Sequence, residues 1–74
     1  MNKQKIALFK SGYVKEDLTE IDPVFIQYFY SKKSAISHAK ALNSFFNKND
    51  EYYIVKVKKT IFGWEEIEGT EEHF

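Results

Sequence analysis

The sequence has 74 residues, enough for one small domain with a single hydrophobic core. Its 11 lysine and arginine residues balance 11 aspartate and glutamate residues, so the formal net charge of +0 provides no basic footprint for nucleic acid or a membrane surface. The absence of cysteine excludes a disulfide scaffold, a thiolate zinc site and a cysteine nucleophile, and an aromatic content of 18% argues against disorder.

The N-terminal segment predicts a short strand rather than a targeting or membrane segment. Only four apolar residues, 6–9, stand between Lys5 and Lys10. A secretory signal needs an apolar stretch of about 7–15 residues and a membrane helix about 20. We therefore expect a cytoplasmic protein without membrane association, and a strand over residues 5–10 that stops at Ser11-Gly12.

The next segment changes from acidic to strongly apolar. Residues 13–22 contain four carboxylates and predict an ordered loop over an open end of the sheet, with room for one helical turn within residues 17–21. The loop ends before Pro23, because the residue preceding proline is disfavoured in the helical region. Residues 24–30 are almost entirely β-branched or aromatic, which predicts a strand with a largely covered surface.

One helix is predicted over residues 32–47. Ser31 supplies an N-cap oxygen, and the apolar positions Ala35, Ala39, Leu42 and Phe46 recur in steps of four, three and four residues. Asn47 is a candidate for a left-handed residue at the helix end.

Two further strands are expected after the helix. Residues 52–58 alternate apolar and lysine positions in their second half, which is typical of a strand with one covered and one solvated face. Residues 64–68 predict a charged edge strand. We expect residues 1–4 and 69–74 to be frayed ends.

The predicted fold is a single α+β domain spanning residues 1–74. Its element order is β-β-α-β-β, with a four-stranded, mostly antiparallel sheet and the helix packed on one face. A parallel arrangement of the strands before and after the helix remains the alternative, because a helix between two strands also fits a crossover unit.

One helix covers only one face of such a sheet, so the apolar side chains of the opposite face must be covered by something other than the helix. A strict two-residue alternation places Val24, Ile26, Tyr28, Tyr53, Val55 and Val57 beneath the helix. The outer face would then carry an aromatic and aliphatic patch fringed with lysines, and large exposed apolar patches mark contact sites. The predicted partner-binding residues are Phe25, Gln27, Phe29, Tyr52, Ile54, Lys56 and Lys58.

Four uses of this surface remain open. The acidic loop or the C-terminal tail could fold back over it, two copies could pair into a homodimer, or a different protein could dock there. In the fourth, single-stranded nucleic acid would stack on Phe25, Phe29 and Tyr52 with lysines on its phosphates. Binding of nucleic acid is disfavoured because arginine is the residue that makes bidentate contacts to bases, and all 11 cationic residues here are lysine.

The sequence carries no constellation typical of catalysis, of metal binding or of cofactor binding. Ser34 and His38 share one helix face, but neither a nucleophile elbow nor an oxyanion glycine accompanies them. The predicted function is therefore a non-enzymatic binding or assembly module, self-associating or protein-binding, without a metal or cofactor, in a bacterium or phage. A second use of the acidic end is inhibition of a basic host enzyme by the carboxylates Glu65, Glu66, Glu68, Glu71 and Glu72.

Overall fold

The computed structural model describes residues 4–74, which form one α-helix and seven β-strands. Four longer strands build the main sheet, and three two-residue strands pair locally or at its edge. The elements in chain order are β1 (Gln4–Lys10), β2 (Tyr13–Val14), β3 (Glu20–Ile21), β4 (Val24–Phe29), α1 (Lys32–Phe45), β5 (Tyr52–Thr60), β6 (Gly63–Glu66) and β7 (Glu72–His73).

The main sheet is antiparallel at every pairing and has the strand order β4-β1-β5-β6. β7 pairs with the first part of β5, and β6 pairs with its last part. This arrangement confirms the predicted α+β class with one helix and an antiparallel sheet. The strands before and after the helix, β4 and β5, are not paired with each other, because β1 lies between them and pairs antiparallel with both. β4 and β5 therefore run in the same direction, and α1 is the crossover between them, as the alternative reading of a crossover unit expected.

α1 begins and ends close to its predicted bounds. The Ser31 side chain accepts a hydrogen bond from the Ser34 backbone N–H at 3.2 Å, which satisfies one of the free donors of the first turn. The helix ends at Phe45, two residues earlier than predicted, and Asn47 takes a left-handed φ of 50° just beyond it.

The helix packs on one face of the sheet through small residues. Ala35 and Ala39 are fully buried, so the helix axis can approach the strands closely. They join a core cluster with Ile6, Leu8, Tyr52 and Ile54, and Ile26, Phe29 and Leu42 pack around its margin. A separate cluster on the opposite face contains Ala7, Val55 and Val57. The sheet therefore has a covered layer on each side.

Two local predictions differ from the structure. The helical turn expected within residues 17–21 is wrong, because Tyr13–Val14 and Glu20–Ile21 form a separate antiparallel ladder. Residues 72–74, expected to be frayed, add β7 to the sheet, and Phe74 N–H donates to the Tyr52 carbonyl at 3.1 Å. Of the fraying expected at residues 1–4, residues 1–3 lie outside the described part of the chain.

Candidate functional site

The sheet surface turned away from α1 is called here the aromatic face. Its floor consists of the buried side chains Ala7, Val55 and Val57, which leave room for larger groups above them. Phe9 and Trp64 pack against this floor from two different strands. The chain thus covers the centre of this face with its own aromatic side chains instead of a second helix.

Six aromatic rings form one continuous chain of contacts across the aromatic face. It begins at the C-terminal strand β7, crosses β5, β1 and β4, and returns to β6. The consecutive ring-centroid distances are 4.9 Å for His73–Tyr53, 5.1 Å for Tyr53–Phe9, 5.5 Å for Phe9–Phe25, 4.7 Å for Phe25–Tyr28 and 5.7 Å for Tyr28–Trp64. These separations are the ones at which aromatic pairs attract each other.

Strand register explains why these rings meet. Phe9 lies opposite Tyr53 on β5 and opposite Phe25 on β4, and directly opposed residues share a face of the sheet. Tyr53 in turn lies opposite His73 on β7. One row across four strands therefore contains only rings, and Tyr28 lies in the next row, opposite the small Ala7.

Two lysines flank the other end of the ring chain. The Lys5 Nζ lies 4.6 Å from the Trp64 ring centroid and 5.5 Å from that of Tyr28. The Lys59 Nζ lies 5.5 Å from the Trp64 ring, and Lys59 is the cross-strand partner of Trp64. These cations rest over ring faces, where the aromatic quadrupole attracts them.

Two carboxylates, Glu66 and Glu71, lie on the β6 and β7 side of the aromatic face, where they line one depression together with Val55. The Glu71 Oε1 lies 2.9 Å from the His73 Nε2, and the His73 ring stacks on Tyr53. Burial raises the pKa of the Tyr53 phenol, and the negative charges of Glu71 and Glu66 raise it further. Glu66 lies opposite Val57 and two residues from Trp64 on β6, so the carboxylates lie alongside the lysines of this face and not at a separate end.

The rings are unequally exposed. Tyr53 is 9% exposed, whereas Phe25 and Tyr28 on the edge strand β4 are 45% and 36% exposed. A partner that approaches this face would therefore meet β4 rings first, with Lys5 and Trp64 beside them.

Several of the predicted partner-binding residues lie on the face of the sheet that α1 covers, so their predicted position on the outer face is wrong. Phe25 lies on the aromatic face as predicted, but Tyr52 and Ile54 belong to the core beneath α1, and Phe29 packs at its margin. Gln27, Lys56 and Lys58 lie opposite Leu8, Ile6 and Gln4, which puts them on the helix side of the sheet as well. The predicted positions therefore divide between the two faces.

A bulge accounts for the error on β4. The pairing with β1 moves from Gln27 opposite Leu8 to Phe25 opposite Phe9, which leaves Ile26 as an extra residue. The alternation of side chains changes phase there, so Tyr28 faces outward and Phe29 faces the helix, where its ring lies 5.2 Å from that of His38.

The sequence reasoning missed Phe9, Tyr28, Tyr53 and Trp64 as parts of the site. One sequence feature could have indicated them: Ala7 is a small residue between the large apolar residues Ile6 and Leu8. A small side chain at this position leaves space for aromatic rings on its face of the sheet. The alternation of the first strand also assigns Phe9 to the face of Ala7, but it does not say which face the helix covers.

The polar groups considered for catalysis or inhibition are engaged locally. Ser34 Oγ accepts a hydrogen bond from the Ser31 hydroxyl at 3.0 Å. Among the carboxylates, Glu72 pairs with Lys32 at 3.1 Å, and the neighbouring Glu65 and Glu66 lie on opposite faces of β6. Within residues 4–74, no group of three or more histidine or carboxylate side chains is placed to hold a metal ion.

Comparison with protein-family models, curated proteins and solved structures gave no significant match. No helix within the described residues is both long enough and apolar enough to cross a membrane.

Proposed function

We propose that this chain is a non-enzymatic binding and assembly module that contacts protein through its aromatic face. The observation that carries the proposal is the continuous chain of six rings, of which Phe25 and Tyr28 are substantially exposed. Aromatic side chains are enriched in the cores of protein interfaces, because they bury a large area with few rotatable bonds.

The surroundings of the rings support a protein partner. Interface cores of this kind have a polar rim, and here Lys5, Lys59, Glu66 and Glu71 supply charges of both signs around the rings. Rim charges of both signs select a partner by electrostatic matching more than they add affinity. We propose that the module acts in the cytoplasm of a bacterium, or of a cell infected by a phage, where its partner resides.

Single-stranded nucleic acid fits this face less well. A stacking platform for bases needs cations along the path of the phosphates. Here Lys56 and Lys58 are on the helix side of the sheet, whereas Glu66 and Glu71 are close enough to Tyr53 to raise its pKa. Two of the rings first considered for stacking, Phe29 and Tyr52, pack in or beside the core.

An acidic inhibitor of a host enzyme would need its carboxylates on one surface. Glu72 is paired with Lys32, Glu71 contacts His73, and Glu65 and Glu66 point to different faces. This division favours the aromatic face over the acidic segment as the contact surface.

Site-specific photo-crosslinking tests the proposal. A benzophenone amino acid replaces Phe25 in one variant, and Phe45 in a matched control, because Phe45 is 82% exposed on α1. After irradiation in cells, we expect protein adducts from position 25 and none from position 45. Adducts from position 45 alone, adducts to nucleic acid alone, or none from either position would overturn the proposal.

A further inference from the structure

We infer that the turn between β5 and β6 docks on the surface of an anionic lipid bilayer. The turn consists of Ile61 and Phe62, whose residues are 93% and 83% exposed. Single exposed apolar residues are ordinary on protein surfaces, but two adjacent ones at the tip of a hairpin form a projecting apolar contact. The inference goes beyond the proposed function, because it concerns this tip and not the exposed rings of β4.

The turn does not depend on its two apolar side chains. Two-residue connections of a β-hairpin favour asparagine, aspartate and glycine. Here Thr60 closes the turn: its Oγ1 accepts a hydrogen bond from the Phe62 backbone N–H at 3.1 Å and donates one to the Gly63 carbonyl at 3.1 Å. Gly63 supplies the positive φ of 107° that follows the turn. The side chains of Ile61 and Phe62 take no part in these bonds and project from the chain.

A tryptophan and two lysines lie directly behind the tip. Lys59 and Trp64 are cross-strand partners, one row behind the Thr60–Gly63 pair that closes the turn. The Nζ atoms of Lys59 and Lys5 lie 5.5 Å and 4.6 Å from the centroid of the Trp64 ring. Within residues 4–74, neither ammonium forms an ion pair with a carboxylate. The row of Trp64 is therefore aromatic and cationic.

The carboxylates of the hairpin lie farther from the tip. Glu65 is opposite Lys58, one row behind Trp64, and Glu66 is opposite Val57, one row farther still. Strand residues advance about 3.3 Å each, so these carboxylates lie about 7 Å and about 10 Å behind the pair that closes the turn. The hairpin is therefore apolar at its tip, cationic in the row of Trp64, and of mixed charge behind it.

This order of side chains matches the layers of a membrane surface. Ile61 and Phe62 would enter the outer part of the hydrocarbon, where apolar side chains are favoured. Trp64 would lie at the level of the headgroups, where tryptophan is enriched, and Lys5 and Lys59 would extend their ammonium groups to the lipid phosphates. The carboxylates would stay in water. This belt of tryptophan and lysine favours a bilayer over an apolar pocket in a protein.

The net charge of +0 does not describe this local arrangement. The expectation of no membrane association rested on that balance and on the lack of a long apolar segment. A docking tip needs neither a basic chain nor a spanning helix, because a few inserted side chains and nearby lysines act together at the surface.

Fluorescence of Trp64 tests the inference, because it is the single tryptophan of the sequence and lies next to the tip. Its emission is recorded while the protein is titrated with vesicles of phosphatidylcholine alone, or of phosphatidylcholine mixed with phosphatidylglycerol. We expect a blue shift with the mixed vesicles. Binding to phosphatidylcholine alone should be at least about fivefold weaker, because lysines near an anionic surface are attracted to it.

Vesicle co-sedimentation compares variants of the tip with matched controls. The double variant Ile61→Ser/Phe62→Ser should bind the mixed vesicles at least about tenfold more weakly, because it removes the inserted apolar area. Phe45→Ser, at an 82% exposed position where α1 ends, should bind within about twofold of wild type. Circular dichroism verifies that each variant is folded.

A second pair of variants tests the role of the lysines. Lys59→Gln should weaken binding to the mixed vesicles about fivefold, whereas Lys40→Gln, at an exposed position on α1, should not. Higher salt should weaken binding of the wild type, because salt screens the attraction between ammonium groups and anionic headgroups.

Three vesicle results would overturn the inference: no blue shift and no co-sedimentation with the mixed vesicles, a double variant that binds like wild type, or Phe45→Ser that binds as weakly as the double variant. A benzophenone amino acid at position 62 separates a bilayer from a protein pocket. After irradiation in cells, adducts to phospholipid support the inference, and adducts to protein alone overturn it. Crosslinking from position 25 tests the aromatic face separately, so either proposal can fail without the other.

Discussion

The rings of Phe9 and Tyr53 lie parallel, with 5.1 Å between their centroids and 5° between their planes. The two residues are direct partners in the β1–β5 ladder, and both lie on the face opposite the helix. This stacked pair joins the rings of β4 to those of β7. It therefore connects the exposed and the buried parts of the aromatic face.

The central strand β1 supplies the most buried large side chain of the fold. Leu8 is fully buried between α1 and β5, whereas Leu18 is 82% exposed in the turn between β2 and β3. We expect Leu8→Ala to lower the free energy of unfolding by about 2–5 kcal/mol, because it removes apolar contacts and leaves a cavity. Leu18→Ala should change it by less than about 0.5 kcal/mol. Urea denaturation of both variants measures the difference, and equal effects would contradict the described core.

The connection from α1 to β5 depends on one amide side chain. The Asn43 Nδ2 donates to the Asp50 carbonyl at 3.0 Å, and the Asp50 backbone N–H donates to the Asn43 Oδ1 at 3.1 Å. We expect Asn43→Ala to destabilise the protein by about 1–3 kcal/mol, because it leaves two partly buried backbone groups without this partner. Asn49→Ala, at an exposed position of the same connection, is the control. Thermal unfolding compares them, and an Asn43→Ala variant as stable as the control would refute the role of this amide.

Stability should decline in alkaline solution through two tyrosines. Burial raises the pKa of the Tyr52 and Tyr53 phenols above their usual value of 10.0, and nearby carboxylates, Asp50 for Tyr52 and Glu71 for Tyr53, add to the effect. Above pH 10 the unfolded chain loses phenolic protons that the folded chain retains, so the free energy of unfolding falls as the pH rises. Below pH 10 the contribution of both groups is fully present.

Phenylalanine variants isolate this effect from the titration of lysines in the same pH range. Tyr52→Phe and Tyr53→Phe should each reduce the loss of stability between pH 9 and pH 12, whereas Tyr13→Phe, at a 54% exposed position, should not. Denaturation midpoints across this pH range provide the measurement. An identical pH profile in all three variants would contradict the raised pKa values.

Most of the fold could be predicted from the sequence because its signals are local. The step pattern of Ala35, Ala39 and Leu42 marks the helix, and Ser31 marks its start. The β2–β3 ladder could not be predicted, because two-residue strands have no periodicity to detect. The strand β7 was also missed, since its residues Glu72 and His73 have little strand propensity and are held by pairing with β5.

Which residues lie on the helix-covered face of the sheet was harder to predict than where the strands begin and end. Residues 52–55 are all apolar and all buried, so they do not reveal which face the helix covers. Lys56 and Lys58 predict a solvent-exposed face, but they lie on the face that α1 covers. Lys56 lies next to the start of the helix, and Lys58 lies beyond it. The bulge at Ile26 also changes which side chains of β4 face the helix. Such a bulge is set by pairing with β1 and leaves no mark in the local sequence.

Aromatic NMR spectra of uniformly labelled protein, recorded in buffer and in a lysate of the cells used for crosslinking, test the central claim most directly. The account predicts that the lysate shifts or broadens the ring signals of Phe25, Tyr28 and Trp64, and leaves those of Phe45 and Phe46, which are 82% and 57% exposed, unchanged. Changes confined to Phe45 and Phe46, or no change at any of the five rings, would contradict the account.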